Sequence, residues 1–492
     1  MSVFYSLTLI ALAGLALLLL EAFDSKRALR YARDASLGLC LFVALRLLTG
    51  NLNCSSEALP SWVSPWLSFD PLAQTFVVLG LVSTALVLAL LRIGESYIRQ
   101  YTLGGSMSEF YAIPMIMAAA IGFMAAARDL VTVFVALELV TVSFYVLVSM
   151  ARKSALCLEA GVKYLILGAM STGVLVFGMA WIYGVCGTLE FSGIASALAD
   201  PQIAKAPALL ACGLMIAALG FKVAAAPFHV WVPDVYQGAP LPISAFLSVG
   251  SKAAGFVVLC RLLEGFLGAG SVVAAEVRQL LVILGGLTVL LGALPALHQS
   301  SVKRLLGFSS VSHAGFMILG LSSVAPGVTG TGLASFYLAT YLPMTVLAFT
   351  VLTVMRAHEV GDDLSEIRGL SKRSPMLAFC LTVSMACLAG LPLSVGFLGK
   401  WLVLLGLAQA GQLAALVIAL IAAACGFYYY FRPIVAAYSS SEEPRKAIEV
   451  SIPAAVLLVL LCAVVLVLGL YPAPLNGLLQ LTGAPAAAAL LR

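Results

Sequence analysis

Charged residues are scarce in this chain. They make up 10% of its 492 residues, where a soluble domain carries roughly a quarter. With 62% hydrophobic residues and a mean hydropathy of +1.08, the scarcity excludes a soluble catalytic domain and leaves a polytopic membrane protein. The ten cysteines form no C-x-x-C pair. All but Cys54 sit within or at the ends of apolar runs, so they read as small hydrophobes and not as ligands of a metal or cluster. Nucleotide-loop, haem and iron–sulfur signatures are also missing, so the electrons of any redox reaction served by this chain travel elsewhere. No cofactor or metal is expected on it, and no nucleic acid as a partner. No basic stretch precedes the first apolar run, Val3 to Phe23, which reads as a retained first helix and not as a cleaved signal.

What the chain has in abundance is apolar runs near the ~20 residues that cross a hydrocarbon core. Fourteen spans are expected, at 3–23, 36–52, 71–91, 108–127, 130–150, 161–185, 207–228, 240–262, 279–297, 304–323, 330–355, 375–407 (broken), 412–437 and 449–471. The fold class is therefore all-α, a single membrane domain over 1–492. If the spans alternate, eighteen basic residues fall in the loops of one side and five on the other. That skew places both termini on the non-cytoplasmic side of the cell (inner) membrane.

Four basic residues remain inside spans: Arg46, Lys222, Lys252 and Lys400. An ammonium near the bilayer centre costs about 2.5–3.5 kcal/mol on insertion scales. Arg46 lies near the end of its span and can snorkel to the headgroups. Lys222 lies deep in its run, and Lys252 is near the midpoint of 240–262. In FKVAAAPFHVWVPDVYQGAP, Pro227 cannot donate to the carbonyl of Val223, so backbone beside Lys222 loses its partner. In MACLAGLPLSVGFLGKWLVLL, Pro392 likewise frees the carbonyl of Leu388, with Lys400 nearby. Two interrupted helices, each holding a lysine, mark a transporter built from an internal repeat. Spans 4–8 (108–262) and 9–13 (279–437) would be the copies, after N-terminal helices in 1–107 and before a last helix at 449–471. Spans 7 and 12 would be equivalent, and an odd number of helices per copy makes the copies inverted. The plainer alternative is that both prolines merely kink their helices.

A buried cation needs a partner. Glu138 is the ionisable acid in the fifth span, VTVFVALELVTVSFYVLVSM, with Thr141 and Tyr145 on the same helical face. At about 4 Å and an effective dielectric near 20, its attraction for a lysine is about 4 kcal/mol, enough to make Glu138–Lys222 a protonation switch. Other polar residues recur at helical spacing: Ser244, Ser248 and Lys252; Ser309 and His313; Tyr337, Tyr341 and Thr345. Facing one another, these stripes would hold a file of water from Lys222 to Lys400, with His313 as the mid-route carrier because imidazole titrates near physiological pH. Interhelical hydrogen bonding is the alternative use for each stripe. His229, just beyond Pro227, either anchors a loop or carries a proton; His298 and His358 read as loop residues.

The stretch from Phe221 to Arg261, FKVAAAPFHVWVPDVYQGAPLPISAFLSVGSKAAGFVVLCR, resembles the antiporter-like subunits of proton-pumping NADH-quinone oxidoreductase, respiratory complex I, and of the related sodium/proton antiporters and membrane-bound hydrogenases. LVTVFVALELVTVSFYVL around Glu138, VKRLLGFSSVSHAGFMILG around His313 and GLPLSVGFLGKWLV around Lys400 extend the likeness over nearly the whole chain. A lysine in the twelfth helix is similar to the N type and unlike the M type, and the length favours N or M over L. The resemblance implies fourteen helices, two inverted five-helix repeats and broken helices 7 and 12. It implies a proton path from the Glu138–Lys222 pair through Lys252 and His313 to Lys400. It also implies FMN, iron–sulfur clusters and quinone on other subunits, and as partners the neighbouring antiporter-like and small membrane subunits, the lipid bilayer and protons. The expected function is proton translocation coupled to NADH-to-quinone electron transfer carried out by other subunits. The alternatives are a subunit of a multisubunit Na+/H+ antiporter or membrane-bound hydrogenase, and a structural spacer of a membrane complex.

Overall fold

In the computed structural model, which describes residues 3–23, 25–49, 59–102, 107–323, 328–440 and 446–479, the chain is a bundle of helices with isolated β-bridges in place of strands among those residues. The first helices are α1 (Val3–Phe23), α2 (Ser25–Thr49), α3 (Pro71–Arg99), α4 (Ser108–Ala126), α5 (Leu130–Ser149) and α6 (Ala155–Cys186), followed by the short α7 (Phe191–Leu198). Next come α8 (Lys205–Val223), α9 (Val232–Gly238), α10 (Leu241–Phe246), a π-helical turn at Leu247–Ser251 and α11 (Lys252–Phe266). The second half holds α12 (Ala274–Ala296), α13 (Val302–Ser322), α14 (Gly330–Ala357), the short α15 (Leu364–Ile367) and α16 (Leu370–Arg373), then α17 (Pro375–Ala389), α18 (Val395–Gln409), α19 (Leu413–Tyr438), α20 (Ile452–Leu470) and α21 (Asn476–Leu479). Cys54, Arg445 and Arg492 fall outside the described residues.

Among the described residues, twelve helices are long and apolar enough to cross a membrane, counting 241–266 as one. Two of the fourteen expected spans are not among them. The span expected at 36–52 belongs to α2, which starts earlier, in a stretch whose sequence is basic, and so falls short in apolarity. The span at 375–407 is divided into α17 and α18, each too short to cross alone. The spans at 241–266, Val302–Ser322 and Gly330–Ala357 are buried almost throughout, whereas α1, α6, α19 and α20 turn apolar side chains outward. Apolar residues thus lie on both faces of the outer helices, because the surrounding solvent is hydrocarbon.

The break in the seventh span comes earlier than Pro227 alone requires. Helix α8 ends at Val223, and Ala224 takes the left-handed conformation with φ 65°. The Ala225 N–H closes the end by donating to the Gly220 carbonyl at 2.7 Å. Pro227 lies beyond this cap, where it prevents the helix from resuming. The freed Ala226 N–H donates to Thr288 Oγ1 of α12 at 2.9 Å, so a side chain from the second half of the chain satisfies the interrupted backbone. In the second broken span, α17 ends at Ala389 with Gly390 at φ 86°, and α18 begins behind Ser394.

Two backbone clasps occupy matching places in the two halves. Before α5 and after α6, the Leu130 N–H donates to the Leu189 carbonyl and the Phe191 N–H to that of Arg128. Before α13 and after α14, the Val302 N–H donates to the Asp362 carbonyl and the Leu364 N–H to that of Ser300. Each clasp is an isolated antiparallel bridge, Asp129 to Glu190 and Ser301 to Asp363, that joins the start of one helix to the end of the next.

Candidate functional site

Helices α5, α6 and α8 bring the first charged pair together. Lys222 is in the last turn of α8, 5% exposed, and its Nζ lies 3.9 Å from Glu138 Oε1 on α5. Its shorter contact is a 2.7 Å hydrogen bond to Thr141 Oγ1. Glu138 accepts a 2.8 Å hydrogen bond from Thr172 Oγ1 of α6. The ion pair is therefore close without being a direct contact, and each charge also has a neutral hydroxyl to lean on. Tyr145, one turn beyond Thr141, has a buried hydroxyl with no hydrogen-bond partner among the described residues.

Lys252 begins α11 immediately after the π turn and donates to the Ser310 carbonyl of α13, with its Nζ 5.3 Å from the centre of the Tyr341 ring. Ser248, inside the π turn, hydrogen-bonds Tyr341 at 2.7 Å and lies 3.5 Å from Ser310 Oγ. Ser310 in turn pairs with the Tyr236 hydroxyl of α9 at 2.8 Å. The π turn falls within the stripe expected for Ser244, Ser248 and Lys252. Ser244 bonds to the Tyr236 carbonyl at 2.9 Å.

His313 stands between two phenols, with Nδ1 2.7 Å from the Tyr337 hydroxyl and Nε2 3.0 Å from that of Tyr430. Ser309 hydrogen-bonds the same Tyr430 hydroxyl. The Tyr341 ring packs on the imidazole at 4.8 Å, which brings His313 beside the Lys252 cluster. Lys400, 7% exposed, reaches back from α18 to donate to the carbonyls of Leu388 and Ala389 at 2.9 and 2.8 Å. Its ammonium thus caps the C-terminal end of α17, where the helix dipole favours a cation. The two broken helices use their lysines differently: Lys222 precedes its break, and Lys400 follows its own and fills it.

The structure also gathers residues that sequence reasoning assigned elsewhere or passed over. Lys303, expected in a loop, is buried and donates to the carbonyls of Gln237 and Ala239 at 2.9 and 2.5 Å, the end of α9. It borders a cavity of about 200 Å³ with Tyr97, Arg356 and Asp362. Tyr430, Tyr236, Ser310 and Thr172 join the polar core. Their hydroxyls cost little in an apolar run and so give no sequence signal. Asp234, on α9, accepts from Lys163 of α6 and Arg304 of α13, both at 2.7 Å. Burial alone would lift its carboxyl, but those hydrogen bonds outweigh burial and hold it below the usual carboxylate range. Arg261 of α11 grips Asp70, the N-cap of α3, with two hydrogen bonds of 2.6 and 2.7 Å, and donates to the Ala125 carbonyl. His229 lies between α8 and α9, with Nδ1 buried and no partner among the described residues. His298 follows α12 and His358 ends α14, both exposed. Among the described residues no three His, Cys, Asp or Glu side chains are grouped as metal ligands.

Residues 127–426 match the family described as NADH:quinone oxidoreductase/Mrp antiporter, TM. The chain is 36% identical over 473 residues to NADH-quinone oxidoreductase subunit N of Trichlorobacter lovleyi, covering 94% of this chain and 93% of that one. A chain of respiratory complex I from Thermus thermophilus with bound aureothin is similar at TM-score 0.78 and 31% identity, with 98% of this chain and 99% of that one covered. A chain of the Mrp complex from Dietzia is similar at TM-score 0.82 and 20% identity over 99% of both, a likeness of fold alone.

Proposed function

The chain belongs to the NADH:quinone oxidoreductase/Mrp antiporter transmembrane family, and within it we propose that Glu138, Lys222, Lys252, His313 and Lys400 carry protons across the membrane as a subunit of the N type. It is a multi-pass membrane subunit of NADH-quinone oxidoreductase, and the translocase role is that of the whole complex. Electron transfer belongs to other subunits, which hold the flavin, the iron–sulfur clusters and the quinone site. The matched clasps around α5–α6 and α13–α14 support two repeats, 108–262 and 279–437, inverted because each holds an odd number of helices, and the skew of basic residues between the loops supports both termini on the non-cytoplasmic side.

The observation that carries this reading is the buried Lys222 ammonium 3.9 Å from Glu138. A change of charge at a neighbouring subunit alters that attraction. Lys222 then passes its proton by way of Lys252 and the tyrosine-held His313, and Lys400 releases it. The test is the whole complex in proteoliposomes, with protons moved per NADH oxidised as the readout. Lys222→Ala should assemble with the flavin- and cluster-bearing subunits, oxidise NADH and pump less. Full pumping by a correctly assembled Lys222→Ala complex removes Lys222 from the route, and silent substitutions at all five positions leave the chain a structural spacer.

A further inference from the structure

Between the Glu138–Lys222 pair and the Lys252 cluster the hydrogen-bonded groups run out. Lys222 ends on Thr141 and Glu138, and Glu138 on Thr172. Lys252 starts again at Ser310. Two tyrosines pack beside the first pair. Tyr145 shares a helical face with Glu138 and Thr141, and helical side chains lean toward the N-terminus, which aims its hydroxyl back along that face. It lies within electrostatic reach of Glu138. Its ring meets that of Tyr164 edge to face at 5.2 Å. Tyr164 stacks 6.0 Å from Phe221, the neighbour of Lys222, and its hydroxyl lies near Ser251, the residue before Lys252.

Space for the Tyr145 hydroxyl is made by a glycine. A Cβ on Gly168 of α6 would stand 1.9 Å from that oxygen, so the phenol fills a slot that any side chain at 168 would close. The same hydroxyl is shielded from solvent and unpartnered among the described residues. Buried polar groups are nearly always paired, and a phenol held only for its ring would be better as phenylalanine. The slot and the missing partner ask for a use of the oxygen itself.

We propose that Tyr145 relays protons between the Glu138–Lys222 pair and Lys252, its hydroxyl left without a fixed partner so that it can bond to either side in turn. This rests on the reading that Lys222 and Lys252 are successive carriers. In the step, an N–H bond of the Lys222 ammonium breaks and its proton joins the Tyr145 oxygen. The original O–H proton leaves toward the hydroxyls of Tyr164 and Ser251, with water between where needed, and ends on a neutral Lys252 amine. The ring is unchanged and no electrons move.

Tyr145→Phe in the whole complex, reconstituted in proteoliposomes, tests the relay. The structure requires normal assembly and an unchanged or slightly higher melting midpoint, because no bond is lost. The relay requires proton delivery from Lys222 to slow on the order of 10²-fold, so that protons moved per NADH fall and the solvent isotope effect on pumping changes. A fluorinated tyrosine placed at 145 keeps the ring and hydroxyl while making the phenol more acidic, and should shift the pH profile of pumping. Parental pumping, isotope effect and pH profile in these assembled variants overturn the relay. If Lys222→Ala stops pumping in the same assay, the lysine path stands and only the role of Tyr145 fails; if Lys222→Ala pumps fully, the path itself fails.

Discussion

Replacing Glu138 with glutamine keeps the size of the side chain and the hydrogen bond from Thr172 but removes the charge 3.9 Å from Lys222. At that distance and an effective dielectric of 20, the attraction is about 4 kcal/mol, or about three decades in the equilibrium between the charged and neutral amine. Because Glu138 is 24% exposed, the higher effective dielectric is the appropriate choice. Glu138→Asp draws the carboxylate back by about one bond, ~1.5 Å, which leaves about 3 kcal/mol at the same dielectric. The remaining loss of about 1 kcal/mol is close to fivefold. The two substitutions should therefore be graded: pumping per NADH is strongly reduced by glutamine and mildly by aspartate, with NADH oxidation and assembly retained in both. The assay is acidification of proteoliposomes at matched electron-transfer rate. Equal pumping by the parental, aspartate and glutamine complexes would refute a role for this charge, and equal loss in the two variants would refute its electrostatic basis.

Lys400→Ala leaves the Leu388 and Ala389 carbonyls without their donor, at about 1–3 kcal/mol for each unpaired group, and should lower the melting midpoint; Lys400→Arg still offers donors but cannot give up a proton, so it should assemble and fail to pump. Arg261→Ala breaks the two bonds to Asp70 and should cost about 2 kcal/mol, below the usual value for a buried pair because Asp70 is 37% exposed; thermal melting checks it, and pumping per NADH in the surviving complex should be normal. For Asp234, whose carboxyl is held below its ordinary value, the stability contributed by the bonds to Lys163 and Arg304 is whole above about pH 4 and lost as pH falls through the lowered value. Asp234→Asn should flatten that acid-side fall in the melting curve.

Charge in hydrocarbon is conspicuous, which is why Lys222, Lys252, Lys400 and Glu138 were legible in the sequence alone, and the structure buries all three lysines. Groups that cost little were not legible. Tyr430, Tyr236 and Ser310 blend into apolar runs, and their role depends on partners far away in the chain. Lys303 misled for another reason. It stands at the first turn of α13, where a lysine usually snorkels, but the end of α9 folds over it and supplies two carbonyls. The break in the seventh span was placed at Pro227, but it occurs at Ala224, an alanine in a conformation usually left to glycine. Sequence offers no warning of that. The π turn before Lys252 is equally silent.

The lysine that caps a broken-helix end need not give up that duty to carry a proton. An ammonium has three hydrogens to donate, and Lys400 spends two of them on Leu388 and Ala389. Losing the third leaves a neutral amine that still has two hydrogens for the same two carbonyls. The break in the twelfth span can therefore stay closed in both protonation states, and release requires no opening of the cap. Lys222 has no such pair of carbonyls: its bonded acceptor is the Thr141 hydroxyl, itself committed to the Leu137 carbonyl at 2.8 Å, with the Glu138 charge nearby. Its hold on a proton depends on a charge and not on backbone geometry. In the proposed path, that asymmetry would make the first broken helix the one a neighbouring charge can address, and the second a fixed fitting.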